Sequence, residues 1–466
     1  MKFQRTLVVF FGAALWASAQ LPDFTPPTAL IGAVMRNDTE EVKRLMDAGA
    51  SPNEGRFIGG GTPIFYALMH HNRAMVEAMI AKGADVTATD GMGDTTLMWA
   101  AYDEAADTAI VEKLLALGVD PAAKNKNGET ALTWAMRRGY TPVVEMLKKA
   151  GASDREIVKQ SVEKALALLE KSSPQFVKVS GCASCHNQSL PLMASAAAQA
   201  RGFAVSAAST EYPVKATMAM FRPGTADMAA GKASIPDPAI SVSYALVGLA
   251  AANYAPDATT AAMAHLVSQM QGADGSFLAF PARPPIESST FTSTALSLRA
   301  IQVYGENPLP RIERARQWLA TATPRTTEDH AMQLLGLAWA DAGSETLREA
   351  AQTLMAEQRP DGGWGQLPGL ESDAYATGQA MVALKTWGAL ASSNPVLGRA
   401  SAFLLRTQLE DGSWLVRTRT VPFQPYKESG FPHGKNQWIS AAGTSWAAWA
   451  LSLTEPVTVS KTAAVR

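Results

Sequence analysis

Between residues 28 and 152 short apolar segments come in pairs, and each pair ends on a glycine: Gly49, Gly83, Gly118 and Gly151. Leu, Met, Ile and Ala recur at helical spacing before every one of these glycines. The frame is the same each time, as in residues 44–50 (Arg-Leu-Met-Asp-Ala-Gly-Ala), 78–85, 113–120 and 146–152. The interval is about 34 residues, a period that marks stacked repeats. Ahead of three pairs stands an entry of Gly and Thr, at Gly61-Thr62-Pro63, Gly93-Asp94-Thr95 and Gly128-Glu129-Thr130. The threonine is placed to cap the first helix, and the closing glycine to accept the left-handed turn that ends the second.

From Asp154 onward the pattern changes. The chain becomes Ala-rich with a helical period, beginning at Val162 to Leu169. Three loops interrupt it in one form: Gln271 to Asp274-Gly275-Ser276-Phe277, Gln358 to Asp361-Gly362-Gly363-Trp364, and Gln408 to Asp411-Gly412-Ser413-Trp414. Asp-Gly supplies a tight turn, so each loop reads as the hinge of a helix pair. The segment from Gln317-Trp318 to Glu328 reads as a further unit without its loop.

The first array resembles the ankyrin repeat, with the unit from about Thr28 lacking the Gly-Thr-Pro entry and serving as a cap. That resemblance implies a solenoid over residues 25–155 with a protein-binding surface and no chemistry of its own. The later loops resemble the Gln-Trp repeat of squalene and hopene cyclases. They imply an α/α toroid over residues 156–455, with inner and outer helical rings. The expected fold class is therefore all-α, an N-terminal ankyrin-repeat solenoid followed by an α/α toroid.

Cyclase chemistry is another matter. The class II cyclases use an Asp-x-Asp-Asp acid motif, and no such run occurs here. Glu371-Ser372-Asp373 is the nearest acidic cluster, and Asp373 reads as a helix cap. Prenyltransferases of similar shape hold zinc with Asp, Cys and His, yet no Cys follows Cys185. Enzyme activity is thus uncertain and not the expectation.

Both cysteines of the chain lie in Gly181-Cys182-Ala183-Ser184-Cys185-His186. Two thiols with two residues between them, followed at once by His, is the spacing that attaches a c-type haem. In this reading Cys182 and Cys185 bond the two vinyl groups and His186 is the proximal iron ligand of one covalent haem c. The motif falls between a stretch like an outer toroid helix (residues 164–171) and one like an inner helix (residues 190–196), so it belongs to the first toroid unit. His330, Met218 and Met220 are candidates for the distal position. Three other readings of the pair stand beside this one: a Cys182–Cys185 disulfide, a zinc site, and a Cys185/Gln188 thioester like that of the thioester-domain toroids.

Composition narrows the setting. Formal net charge is -1 without a long basic run, which argues against a nucleic-acid partner. Lys2 and Arg5, the apolar run Leu7 to Trp16 and Ala17-Ser18-Ala19 read as a signal peptide over residues 1–19. No later segment is long enough to span a bilayer. Export to a bacterial periplasm agrees with haem attachment, which takes place outside the cytoplasm. The expected function is electron transfer or redox sensing, with a protein partner on the ankyrin face and a redox partner. The alternatives are a non-redox scaffold for protein or a lipid-like ligand, and then cyclase-like or thioester chemistry.

Overall fold

The computed structural model describes residues 26–456, apart from 57, 103–106, 234, 281–282, 392–393 and 422–425. The signal segment at residues 1–19 lies outside the described residues. What is described is helical, with isolated β-bridges and no strand. By contact the chain divides into Met1–Glu129 and Thr130–Arg466, so the fourth repeat falls in the second unit.

The first unit holds three helix pairs: α1 (Ala29–Met35) with α2 (Thr39–Asp47), α3 (Pro63–Met69) with α4 (Arg73–Ala81), and α5 (Thr96–Ala101) with α6 (Thr108–Ala116). Thr28 Oγ1 and Thr95 Oγ1 accept backbone N–H groups of the first turn, as the sequence predicts. Thr62 makes no such bond, and Pro63 after it presets the first turn. Gly49, Gly83 and Gly118 all take positive φ at the ends of the second helices. Polar side chains tie one repeat to the next. Asn53 donates to Gly83 O at 2.9 Å and accepts from Asp85 N at 2.7 Å, and Arg73 pairs with Asp107 at 2.6 Å. Met35, Met69 and Tyr102 stand at one register position, seven residues after Thr28, Thr62 and Thr95, and all three are exposed.

The second unit opens with α7 (Ala131–Met136) and α8 (Pro142–Lys149), capped by Thr130 and closed by Gly151. Thirteen further α-helices follow among the described residues. They are α9 (Arg155–Ser180), α10 (Leu190–Gln199), α11 (Ala208–Phe221), α12 (Thr225–Ala229), α13 (Pro238–Ala251), α14 (Ala258–Ser268) and α15 (Thr290–Tyr304), then α16 (Leu309–Thr321), α17 (Thr327–Trp339), α18 (Ser344–Ala356), α19 (Ala374–Trp387), α20 (Pro395–Thr407) and α21 (Gln437–Ser452).

Helices α10, α13, α15, α17, α19 and α21 each pack on the next, and α21 packs back on α10. This is a closed inner ring. The remaining long helices lie outside it, each joined to its inner partner by a loop. Small residues permit the close inner packing: a Cβ on Gly378 of α19 would meet the Trp446 backbone of α21 at 2.5 Å.

The repeated glutamines do one job three times. Gln271 Nε2 donates to Gly275 O and to Arg311 O in α16, and Gln358 Nε2 to Gly362 O and to Val396 O in α20. Gln408 Nε2 donates to Gly412 O at 3.0 Å and to Ser161 O of α9 at 2.9 Å. That last bond joins the end of the toroid to its beginning. Trp364 and Trp414 are fully buried, and their indole N–H groups donate to Leu354 O and Leu404 O, each at 2.8 Å. Gly362 carries φ +88, and a Cβ there would collide with Arg399 O at 2.5 Å, so both conformation and space demand glycine. The unit predicted to lack its loop does lack it: α16 passes to α17 through five residues.

Candidate functional site

The Cys pair lies where the sequence puts it, between α9 and α10. Gly181 ends α9 in the left-handed conformation, φ 75. Ser184 is extended, and its Oγ accepts Asn187 N at 3.1 Å to cap a single wide turn, Cys185–Ser189. Pro191 then opens α10 where a missing N–H costs nothing.

Two successive amides anchor this turn to two successive serines of α9. Asn187 Nδ2 donates to Ser172 Oγ at 3.3 Å, and Ser172 Oγ donates to Leu169 O at 3.0 Å. Gln188 Nε2 donates to Ser173 O at 2.9 Å, while its Oε1 accepts Ser184 N at 2.6 Å. Asn187 Oδ1 is left to accept a proton from His186 Nδ1 at 2.6 Å. The acceptor fixes the tautomer: Nδ1 carries the hydrogen and Nε2 carries the lone pair. Burial pushes the imidazole pKa down to about 4, so the ring is neutral at physiological pH.

His186 lines a cleft of about 480 Å³ together with Arg283, Ile286, Tyr426, Lys435 and Trp438. The ring lies nearly parallel to Trp438, centroids 5.5 Å apart at 15°, and meets Phe176 edge-on at 4.9 Å. Behind the cleft wall Arg283 holds Glu287 through two bonds of 2.8 and 2.7 Å. Cys185 Sγ faces Glu287 Oε1 at 3.7 Å. Cys185 is 8% exposed, and burial next to that carboxyl drives its thiol pKa well above the usual range. Cys182 is half-buried, with Sγ 3.5 Å from Ser180 Oγ, and both cysteines are free thiols. The amide of Gln188 is committed to Ser173 and Ser184 while Cys185 faces Glu287, which is the opposite of a Cys–Gln thioester arrangement.

The distal candidates are not all gathered at this mouth. His330 does open the inner helix α17, but its Nδ1 pairs with Glu357 of the outer ring at 2.6 Å. Helix α17 is also separated from α10 by two inner helices in either direction. Met218 and Met220 lie on α11, which packs against the Cys185–Ser189 turn; Met218 is buried and Met220 exposed. Asp373 caps α19 by accepting Ala376 N at 2.9 Å, and burial raises its pKa to about 6.

The residues fit a haem in one specific sense. Among the described residues no three His, Cys, Asp or Glu side chains converge as a metal cage requires. A porphyrin brings its own four nitrogen donors, so an oriented, neutral imidazole at a cleft meets the demand of the iron; covalent attachment also needs both thiols at that cleft, and neither is among the residues lining it, Cys185 facing Glu287 instead. The hydrogen bond from Nδ1 to a fixed amide is the support such a ligand takes.

A second cluster lies inside the ring, and sequence reasoning missed it. Glu328 of α17 is buried, and Thr292 Oγ1 of α15 donates to its Oε1 at 2.6 Å. The side chains of Tyr375 and Gln379 approach the same carboxyl from α19, and Tyr244 of α13 approaches Tyr375. None of these approaches reaches hydrogen-bond geometry: Glu328 Oε2, both tyrosine hydroxyls and both polar atoms of Gln379 have no partner. Burial raises the Glu328 pKa to about 7 despite its polar neighbours. The available signal was Thr326-Thr327-Glu328-Asp329. Its threonine and Asp329 form the capping box, which turns the intervening Glu328 inward.

Fold and sites together define an all-α protein with ankyrin repeats and a cyclase-type toroid. Comparison with protein families agrees in both parts: ankyrin repeats (three copies) match residues 9–90 and 89–161, and the squalene-hopene cyclase N-terminal domain matches residues 309–413. No curated protein matches the chain.

Proposed function

We propose that this chain is an exported haem-c protein of the bacterial periplasm, acting in electron transfer or redox sensing, with its ankyrin repeats holding a protein partner. Cys182 and Cys185 would bond the haem, and His186 would ligate its iron. The observation that carries the reading is the His186 imidazole, locked in one tautomer by Asn187 and lining a cleft of about 480 Å³ one residue after Cys185. When bound, the haem would supply one-electron chemistry, and Asn187 would hold His186 in the tautomer whose Nε2 is free to ligate. Met35, Met69 and Tyr102, exposed in one register, supply apolar contacts for the ankyrin partner.

The test is the protein recovered from the periplasm of a host that matures c-type cytochromes. A haem stain that survives denaturation, a Soret band and their loss in Cys182→Ala are expected. A colourless protein of polypeptide mass alone would end the proposal. The polar cluster around Glu328 favours a second reading, in which the ring interior performs acid chemistry on a bound ligand. That reading survives a colourless protein and falls if Glu328→Gln leaves every ligand-dependent activity unchanged.

A further inference from the structure

We propose that the interior of the ring binds a small protonated amine that also carries a hydroxyl or carbonyl oxygen, with Glu328 as its counter-ion. This deepens the second reading above by naming the ligand of its ring-interior site, and it is independent of haem. Five inner helices meet at that site: α13 brings Tyr244, α15 Thr292, α17 Glu328, α19 Tyr375 and Gln379, and α21 Trp446. None of these side chains is more than 5% exposed. Tyr244 and Tyr375 belong to helices that are not adjacent in the ring, so they approach each other only across its interior. The Thr292 hydroxyl donates to Glu328 Oε1 at 2.6 Å, and Tyr375 meets Trp446 edge-on with centroids 6.4 Å apart. Six polar atoms of this group have no partner: both tyrosine hydroxyls, Glu328 Oε2, both ends of the Gln379 amide and Trp446 Nε1. Elsewhere in the toroid such groups are matched, as the buried indole N–H groups of Trp364 and Trp414 show. A shortfall gathered at one point is a property of that point.

The unmatched atoms specify what completes them. Glu328 brings a carboxyl into a group that includes no Lys, Arg or His, and a carboxylate so buried stays charged only beside a cation. An ammonium supplies that charge, and its N–H groups find acceptors in Glu328 Oε2, the tyrosine hydroxyls and Gln379 Oε1. Three aromatic side chains around one carboxyl also suit an organic cation. Trp446 Nε1 and Gln379 Nε2 can only donate, so they require a lone pair. A bare ammonium has none; a hydroxyl or carbonyl oxygen provides it. Enclosure by buried side chains confines the ligand to a few heavy atoms.

Equilibrium dialysis of the full chain above neutral pH allows slow entry into an enclosed site. The probes are radiolabelled ethanolamine, which has both halves of the ligand, ethylamine, which lacks the oxygen, and ethylene glycol, which lacks the charge. Ethanolamine is expected to bind, and each of the others more weakly by about tenfold or more. Glu328→Gln, which keeps the shape of the side chain, should abolish ethanolamine binding. Trp446→Phe should cancel the advantage of ethanolamine over ethylamine while leaving ethylamine itself unchanged, a pattern that a merely structural role would not produce. Ethylene glycol binding as tightly as ethanolamine, or a Glu328→Gln variant that still takes up the amine, ends the amine assignment and leaves the ring-interior site standing. Uptake of none of the three probes also ends this proposal, whereas the acid-chemistry reading stands or falls on the activity of Glu328→Gln.

Discussion

Replacing Glu328 by Gln keeps the shape of the side chain and removes its proton, so the variant isolates the electrostatic cost of that carboxyl. Its pKa stands at about 7 in the fold against 4.5 for an unburied glutamate, with burial as the main cause. At 1.36 kcal/mol per pH unit, that difference amounts to about 3 kcal/mol. The sign follows from which state holds the proton more tightly. The folded chain does, so the stabilisation is complete below pH 4.5 and is lost as pH rises through about 7. Wild type should therefore weaken relative to Glu328→Gln by about 3 kcal/mol across this window, with no further change above about pH 8.5. Denaturant melts followed by the emission of the buried Trp364, Trp414 and Trp446 report on the toroid. Any lost hydrogen bond to Thr292 shifts the variant equally at every pH, so the slope of the difference decides. Parallel stability curves from pH 4.5 to 8.5 would mean that the carboxyl is solvated, and the interior cluster would lose its meaning.

Three more outcomes are expected. Gln408→Ala strips the ring-closing bonds to Ser161 O and Gly412 O and should cost about 1–3 kcal/mol in urea melts, whereas an unshifted midpoint would remove the closure role. Gly362→Ala, which meets Arg399 O at positive φ, should destabilise by about 2 kcal/mol or more, while Gly369→Ala, with nothing nearby, should be near neutral in the same thermal scan. In protein made without haem, iodoacetamide should alkylate Cys182 well before Cys185, as read by peptide mass mapping; equal rates would contradict the burial and raised pKa of Cys185.

The helix pairs, their glycine stops and the three Gln loops were legible because each is a local device with its own residue signature. The position of Cys182, Cys185 and His186 between an outer and an inner helix followed from the same register. What the sequence hid was direction across the ring. His330 was placed correctly at the head of an inner helix, yet its neighbour Glu357 belongs to the outer one and turns it away. Glu328 looked like one of several acids in a first helical turn; only the meeting of α13, α15, α17 and α19 shows it among Thr292, Tyr244, Tyr375 and Gln379. The pairing of Ser172 and Ser173 with Asn187 and Gln188 is equally non-local, because a polar pair finds its partner only when the chain folds back.

Because α21 seals the circle against α10, assembly has an order. The turn bearing Cys185 is translated early, but α21, one of the helices that pack on it, is the last among the described residues. In the closed ring the thiol is enclosed and held protonated, so it reacts slowly. Any machinery that modifies this cysteine must therefore work on an unfinished ring, and a chain that closes too quickly would stay unmodified for its lifetime.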